Sequence, residues 1–493
     1  MALIIEIAAM LASVPLFIFG LALGDCLMLL WGVLALYAGT ALYCIRNRRS
    51  MKYAVIFLAS WGLFMLGRVV VRLPEGVYLL AKFTEEEVVH TFQSLYLALA
   101  FFLLGLAAFQ NIRFKRREGT ASKTSLTDRV DTSALGLLSG ITFAVTLPFR
   151  VGVIYYYVQT ALLTGYRSLY LNGNANIPGF IDALSRIHVS ALIIYLILFP
   201  KKKRAYLVSA IELAVSGLYL AAGKRIEFIQ IVVLIFVILL MRDAFQADPR
   251  PFFTGKRIAV ICVTGIGLVV LLQFIGYSRF SETMENTGLW GIVTDFLDTI
   301  GYSVEIIPLG KRHTADFFGN NTLYFWGPFF NWLKSITGIG TLYSGQTLET
   351  VQYGYSFGDA LTYFESAYLY LVQGGGLGSS YIAELYHSYG YLGIAAFNLL
   401  LGNMVSRLEP GEGDSWFSRY IKTYIFIGVI LLPRFNCWVW MTDVISKANI
   451  LFWVALVIGM KLLSSRNRQG RLPESADDAM GKETSCHEGH TGH

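Results

Sequence analysis

The chain has 493 residues, of which 55% are hydrophobic and 15% charged, and its formal net charge is +7. This composition excludes an ordinary soluble globular domain and indicates an all-α polytopic membrane protein. The basic residues occur in short clusters between apolar segments, as in cytoplasmic loops of membrane proteins. The positive charge therefore does not indicate a nucleic-acid partner.

Apolar segments of about 20 residues, the length that crosses a hydrocarbon core as a helix, follow one another along most of the chain. The first segment contains Glu6 and runs into the second after Gly24-Asp25, which favours a transmembrane helix over a cleavable signal peptide. The fifth is long and interrupted by Pro148, and the eleventh is short. We predict about twelve spans, near residues 3–23, 25–45, 53–72, 93–110, 133–163, 181–200, 205–222, 226–241, 258–277, 389–405, 423–433 and 449–464.

The charges between the spans predict the orientation. With twelve spans the clusters of Lys and Arg fall on one side, which the positive-inside rule assigns to the cytoplasm together with both termini. The chain then divides into an N-terminal membrane region of about nine spans (1–277), a large extracytoplasmic loop (278–388), C-terminal spans (389–464) and a disordered cytoplasmic tail (465–493).

Metal-binding patterns are missing from the sequence. The loop 278–388 has no DxD-like cluster, and the histidines of the polar tail are typical of a disordered terminus. We therefore expect no metal and no cofactor. The cysteines lack the spacing of a metal site or a disulfide framework and are expected to be packing residues: Cys26, Cys44, Cys262, Cys437 and Cys486.

Cations that do not set the topology are candidate site residues, because a charge inside the bilayer is costly. For Arg68 and Arg186 we expect pairing with Glu6, Asp182 or Glu212. The candidate cations are Arg68, Arg150, Arg186, Lys224, Arg225, Arg279, Lys311, Arg312 and Arg434.

Lys224 and Arg225 form the whole turn between two predicted helices. At a helix N-terminus an anion meets free amides as well as both side-chain charges, although lipid-headgroup snorkelling is an equal alternative for Lys224. Arg279 and Arg434 follow the outer ends of the ninth and eleventh spans, where a lone arginine is usually an interfacial anchor. Together with Arg225 they predict a basic ring that binds a diphosphate.

The end of the loop offers acid/base candidates. Glu384 and His387 are three residues apart and share a face if the segment is helical. Partial desolvation at a membrane surface would move either group toward the range of a general base, while a plain interfacial polar pair is the alternative. The run Gly374–Gly378 allows a tight turn.

Tyrosines of the loop are candidates for glycan binding. Tyr353, Tyr355 and Tyr363 would suit stacking on sugar rings. The alternative is an interfacial aromatic belt, which is the more common cause of such residues.

Two short segments, AAGKRIEFIQIVVLIF and GSSYIAELYHSYGYLGI, carry a resemblance to a known family. With them, and over nearly the whole hydropathy plan, the chain resembles the Wzy-type O-antigen and oligosaccharide repeat-unit polymerases. AAGKRIEFIQIVVLIF resembles the family's Gly-x-Arg helix start, with Arg225 at the arginine position. GSSYIAELYHSYGYLGI resembles the end of the family's large loop, with Glu384, Gly390 and Gly393 in register. The resemblance implies a GT-C-like glycosyltransferase of the bacterial cytoplasmic membrane.

The resemblance also implies a reaction. Two undecaprenyl-diphosphate-linked oligosaccharides would be joined with inversion and without a metal, for O-antigen or capsule synthesis. Arg225, with Arg279 and Arg434, would neutralise the departing diphosphate, and Glu384 or else His387 would activate the acceptor hydroxyl. The implied partners are the lipid-linked substrates, the bilayer and a chain-length regulator protein.

Two alternatives stay open. The related O-antigen ligases have a His-Asn pair where this chain has Ser379-Ser380, which disfavours a ligase. A flippase or transporter would have short loops and broken helices paired between two halves, which the long loop disfavours.

Overall fold

The computed structural model describes residues 2–48, 50–117, 132–171, 177–245, 252–280, 288–318, 322–411 and 413–469. These residues are mainly α-helical, and no β-strand occurs among them. Ten helices of the described chain are long and apolar enough to cross a membrane. The predicted all-α polytopic fold is confirmed.

The first half of the chain is a series of long helices. The predicted third span is divided at Leu66, whereas Pro148 does not interrupt the fifth, which is one continuous helix. The helices are α1 (Ala2–Leu23), α2 (Cys26–Arg46), α3 (Lys52–Met65), α4 (Gly67–Val71), α5 (Glu85–Arg117), α6 (Thr132–Thr164), α7 (Ser168–Leu171), α8 (Gly179–Ile197), α9 (Lys202–Ala221), α10 (Arg225–Phe245) and α11 (Gly255–Phe280).

Short helices fill the stretch predicted as a loop. We call residues 288–318 and 322–380 the loop segment. Its helices are α12 (Leu289–Ile300), α13 (Ile306–Arg312), α14 (Thr322–Thr337), α15 (Leu348–Tyr353), α16 (Phe357–Glu365) and α17 (Ala367–Leu371). The chain continues with α18 (Tyr381–Leu408), α19 (Trp416–Val429), α20 (Val439–Thr442) and α21 (Lys447–Gln469).

Helix α18 begins inside the stretch predicted as a loop and is kinked at Gly390, whose φ of 63° favours glycine. Residues 391–408 after the kink give about 27 Å of helix, close to the thickness of a hydrocarbon core. Helices α3 and α19 have only 14 residues each, so the count of twelve spans stays a prediction. The GT-C-like architecture stays a prediction as well.

One bundle of helices is formed by α1, α2, α3, α5 and α18. Helices α5 and α18 cross at Gly105 and Gly402, where a Cβ atom would collide with the Leu399 and Phe102 carbonyls respectively. Small residues let two helix backbones touch, which is a common way of packing helices in a membrane. This contact holds α18, and the loop segment before it, against the N-terminal helices.

A second bundle contains α6, α8, α9, α10, α19 and α21. Its buried centre includes a chain of hydrogen bonds, which we call the polar thread. The Tyr420 hydroxyl donates to the Ser190 hydroxyl at 3.1 Å, and Ser190 Oγ donates to Asn449 Oδ1 at 2.6 Å. Buried polar groups need partners because water cannot reach them. The thread therefore fixes α8, α19 and α21 relative to one another.

A buried ion cluster attaches the loop segment to the first bundle. The guanidinium of Arg68 lies 3.1 Å from Asp298 and 3.0 Å from Glu305, and Arg72 also binds Asp298. Lys82 adds a contact of 3.3 Å to Glu305. The structure thus corrects the expected partners of Arg68, because residues distant in sequence supply its carboxylates.

Two other residues of the predicted ion pairs, Arg186 and Glu6, differ in outcome: one has a predicted partner and the other does not. Arg186 binds Asp182 at 2.9 Å, as predicted. Glu6 instead binds Arg46 at 2.8 Å, which places this pair at one end of the α1–α2 hairpin.

We expect Arg68→Met to destabilise the protein strongly. The side chains of Arg68 and Glu305 are 10% and 3% exposed. The substitution therefore leaves the negative charge of Glu305 buried with one fewer cation beside it. Breaking a buried pair costs about 3–5 kcal/mol. Thermal unfolding in detergent should show a midpoint lowered by several degrees.

The double variant Arg68→Met/Glu305→Gln should recover part of that loss, because it removes both charges. Lys256→Met, at an exposed position of α11, serves as the control and should leave the midpoint unchanged. A double variant that is as unstable as the sum of the single variants would contradict the interpretation.

Candidate functional site

A cavity of about 1090 Å³ lies where the second bundle meets the loop segment. Its walls come from α6, α8, the α9–α10 turn, α10, the loop segment and the residues between α19 and α20. Pockets for small ligands are usually about 300–1,000 Å³. The cavity therefore has room for a ligand at the upper end of that range or larger.

Positive side chains are concentrated on the cavity wall. Such a cluster attracts an anion, and guanidinium groups match phosphate oxygens in pairs. Six cations of the described chain line the cavity: Arg150, Arg167, Arg186, Lys224, Arg225 and Arg434. Three of them, Lys224, Arg225 and Arg434, are diphosphate ligands predicted from the sequence, and the structure brings them to one cavity.

The turn between α9 and α10 positions two of these cations. The Lys224 ammonium lies 3.1 Å from Glu227 Oε1 and 4.1 Å from the centroid of the Tyr157 ring. Arg225 Nη1 donates to the Leu272 carbonyl at 2.8 Å. Since Leu272 belongs to α11, this bond ties the guanidinium to a third helix and limits its movement.

Arg434 reaches the same cavity from a distant part of the chain, the 3-10 turn Leu432–Arg434 that follows α19. Asn436, two residues later, also lines the cavity. Arg279, the fourth predicted diphosphate ligand, lies in the last turn of α11, and its side chain is outside the described residues.

Arg150 is a cavity cation without a role predicted from the sequence. Its Nε lies 3.8 Å from Glu212 Oε1, and its guanidinium lies over the Tyr219 ring at 5.1 Å. Glu212 is fully buried and also contacts His188 Nε2 at 2.9 Å and Ser216 Oγ at 2.8 Å. The network holds Arg150 in place. An arginine inside an apolar helix was the signal that pointed to it.

Four carboxylates of the described chain line the cavity, and three of them are ion-paired. Asp182 and Asp443 lie 2.9 and 3.7 Å from Arg186, and Glu227 binds Lys224. The fourth is Asp359 in the first turn of α16, which sequence reasoning missed because no spacing marks it.

Asp359 has an unusual environment. Burial raises the pKa of its carboxyl, and the side chains of Ser356 and Tyr370 oppose that shift in part. Within the described chain no ion pair involves Asp359. The carboxylate form is therefore destabilised by desolvation without a compensating cation.

The predicted acid/base pair lies outside the cavity. Glu384 and His387 are in the helical first part of α18, and both are buried. Glu384 Oε2 accepts a bond of 2.6 Å from the Cys437 amide, and His387 packs against the Phe317 ring with centroids 4.2 Å apart. Their catalytic role stays a prediction, and the cavity geometry gives it no support.

The three tyrosines predicted to bind glycan lie in the loop segment, and none of them lines the cavity, although Tyr355 and Tyr363 are next to the cavity residues Ser356 and Thr362. Tyr353 is 52% exposed and pairs with Tyr343, and Tyr355 meets Tyr324 edge to face. Tyr363 packs against the hydrophobic core of the first bundle. Glycan stacking on them stays a prediction. Among the described residues, no group of three or more His, Cys, Asp or Glu is placed to hold a metal ion.

Fold and cavity define a multi-pass α-helical membrane protein with a large basic site between a helical bundle and a folded loop. A model of the family "O-antigen polysaccharide polymerase Wzy" matches residues 4–467, nearly the whole chain. The chain therefore belongs to the Wzy family of O-antigen polysaccharide polymerases. None of the curated proteins and none of the solved structures matches it significantly.

Membership of this family confirms the resemblance noted in the sequence. It gives the chain a polysaccharide polymerase role and places it as a multi-pass protein in the bacterial inner membrane.

We expect Asp359→Asn to stabilise the protein at neutral pH. Because the folded-state pKa of Asp359 is raised, the penalty for its charge is absent below the ordinary aspartate pKa of about 4 and develops as pH rises above it. Thermal unfolding at pH 7.5 should show a higher midpoint for the variant. The gain should vanish near pH 4, and a midpoint lowered at pH 7.5 would contradict a destabilised Asp359 carboxylate.

Proposed function

We propose that this protein joins undecaprenyl-diphosphate-linked oligosaccharide repeat units at the cavity, on the outer face of the bacterial cytoplasmic membrane. The transfer is inverting and independent of a metal ion. The observation that carries the proposal is the convergence of Lys224, Arg225 and Arg434 on one cavity from the α9–α10 turn and the end of α19.

The leaving group of such a transfer is a lipid diphosphate, whose negative charge grows as the glycosidic bond breaks. Cations already in place stabilise that charge most effectively where water is scarce. Arg225 is held by the Leu272 carbonyl, and Lys224 rests on the Tyr157 ring. Their fixed positions support the assignment of the diphosphate to this part of the cavity.

The lipid part of each substrate needs an apolar path to the site. Leu162 and Leu163, in the last turn of α6, are 76% and 75% exposed. Tyr166 follows within one turn and lines the cavity. Apolar side chains exposed at the end of a helix long enough to cross a membrane, beside a polar cavity, suit a substrate with a polyprenyl tail and a hydrophilic head.

A lipid-to-acceptor glycan ligase is the second candidate, since it would use the same diphosphate site. Ser379 lines the cavity, and it stands with Ser380 where the related ligases have a His-Asn pair. A hydroxyl has a much higher pKa than an imidazole and is a poorer base at neutral pH. The polymerase is therefore favoured.

We expect Arg225→Ala to abolish the polymer ladder made by membranes supplied with cognate undecaprenyl-diphosphate-linked repeat units. Loss of one preorganised donor to a developing charge slows a reaction about 10²–10³-fold. Arg225→Lys should retain part of the rate, because it keeps the charge but loses the paired hydrogen bonds. The measurement is the initial rate of glycan addition on gels.

Arg257→Ala is the matched control, since Arg257 is exposed at the far end of α11 and lies outside the cavity. It should polymerise at the wild-type rate. Wild-type rates for Arg225→Ala at equal protein level would remove the diphosphate assignment. No ladder from the wild type with cognate donor would remove the proposed function.

Treatment with EDTA should leave the polymerisation rate unchanged, because the cavity cations supply the charge that a divalent metal would otherwise provide. The check is a rate measured after chelation and dialysis, with and without added Mg²⁺ or Mn²⁺. A rate lost on chelation and restored by either ion would contradict the metal-independent mechanism.

A further inference from the structure

Asp359 differs from every other carboxylate that lines the cavity in the described chain. Asp182, Asp443 and Glu227 each lie within 4 Å of a cavity cation. A neighbouring cation stabilises the carboxylate and weakens its affinity for a proton. Asp359 has no such partner among the described residues, so no ion pair competes with a proton for its carboxylate.

The part of the cavity around Asp359 is built for a neutral polar ligand. We call Gln346, Ser356, Asp359, Thr362 and the run 374–379 the loop wall, and all of them line the cavity. Two atoms of the loop wall, Gln346 Oε1 and Ser379 Oγ, are buried and have no hydrogen-bond partner in the described chain. Sugar hydroxyls both donate and accept, so they can satisfy such groups.

The loop wall is also rigid. Gln346 Nε2 donates to the Gly375 carbonyl at 2.8 Å, and the Leu377 amide donates to Thr362 Oγ1 at 3.1 Å. At Gly374 a φ of 66° and the nearby Arg167 carbonyl leave no room for a side chain. The backbone therefore approaches the cavity closely and holds α16, with Asp359, at a defined place.

We infer that Asp359 accepts the proton of the attacking hydroxyl of the acceptor sugar. The inference rests on the proposed function and adds the base to it. The acceptor oxygen bonds to the anomeric carbon of the donor while the bond from that carbon to the diphosphate oxygen breaks. The electron pair of the broken bond leaves with the lipid diphosphate. The hydroxyl proton passes to the Asp359 carboxylate, which later releases it to water.

Glu384 has a different task in this scheme. A base must come within hydrogen-bond reach of the proton that it removes, and Glu384 is fully buried outside the cavity. Its Oε2 instead accepts from the Cys437 amide at 2.6 Å. Cys437 follows Arg434 and Asn436, so Glu384 is a positioning residue that fixes the segment carrying a diphosphate ligand.

The pH dependence of the reaction gives a readout that a structural role would not move. Burial raises the pKa of Asp359, and only its carboxylate form can accept a proton. The rate should therefore rise with pH as Asp359 ionises. Asp359→Glu should shift that acid limb, and the residual rate of Asp359→Asn should lack it.

The test compares Asp359→Asn, Asp359→Glu and the control Glu349→Gln in full-length protein in nanodiscs. Single transfers between cognate lipid-linked repeat units give the rate, and undecaprenyl diphosphate is the probe of the anion site. We expect Asp359→Asn to be about 10²–10⁴-fold slower, with unchanged affinity for the probe. Glu349 is exposed on α15 and lies outside the cavity, so its variant should match the wild type.

Two results would overturn the inference while leaving the proposed function intact. The first is an Asp359→Asn rate within tenfold of the wild type, with the ladder still lost in Arg225→Ala. The second is a slow Asp359→Asn protein that also unfolds at a lower temperature and binds the probe weakly, which indicates that Asp359 only stabilises the start of α16. A wild type that makes no polymer defeats the function itself.

Discussion

The cost of placing charge in a low-dielectric interior governs this structure. Cations that enter the membrane region are held by carboxylates, carbonyls or aromatic rings, as Arg150 of α6 is by Glu212 of α9 and Arg186 of α8 is by Asp443, which precedes α21. Each such partner belongs to a definite part of the chain, so satisfying the charge also fixes that part. The cavity is thus a consequence of the same ion pairs that hold the second bundle together.

A second requirement is that residues far apart in the chain meet at the cavity. The Arg68 cluster fastens the loop segment to the first bundle, and the glycine contact between α5 and α18 sets the helix that follows it. From that helix Glu384 binds the Cys437 amide and so orients the turn that carries Arg434. The proposed diphosphate ligands therefore depend on contacts outside the cavity.

Features that depend on local composition could be predicted from the sequence. Hydropathy located the long apolar helices but not the short helices of the loop segment. Lys224 and Arg225, basic residues on the side predicted to face away from the cytoplasm, located part of the cavity. Asp359 could not be predicted, because what distinguishes it is the lack of a cation beside it in the described part of the folded chain. The buried position of Glu384 was missed for a similar reason: its partner, the Cys437 amide, is 53 residues away.

Two parts of the cavity wall have different roles in the proposed reaction: the cations bind the diphosphate, and the loop wall contacts the sugar. Every lipid-linked substrate presents the same diphosphate, so Lys224, Arg225 and Arg434 can serve any repeat unit by charge alone. Sugars differ largely in the direction of their hydroxyl groups, which directional hydrogen bonds can distinguish. In the proposed reaction the loop wall meets the sugar, and its Gln346 and Ser379 have bonding capacity left. In that reaction, specificity would reside in the loop wall, and affinity for the lipid diphosphate would reside in the cations of the α9–α10 turn and of the turn after α19.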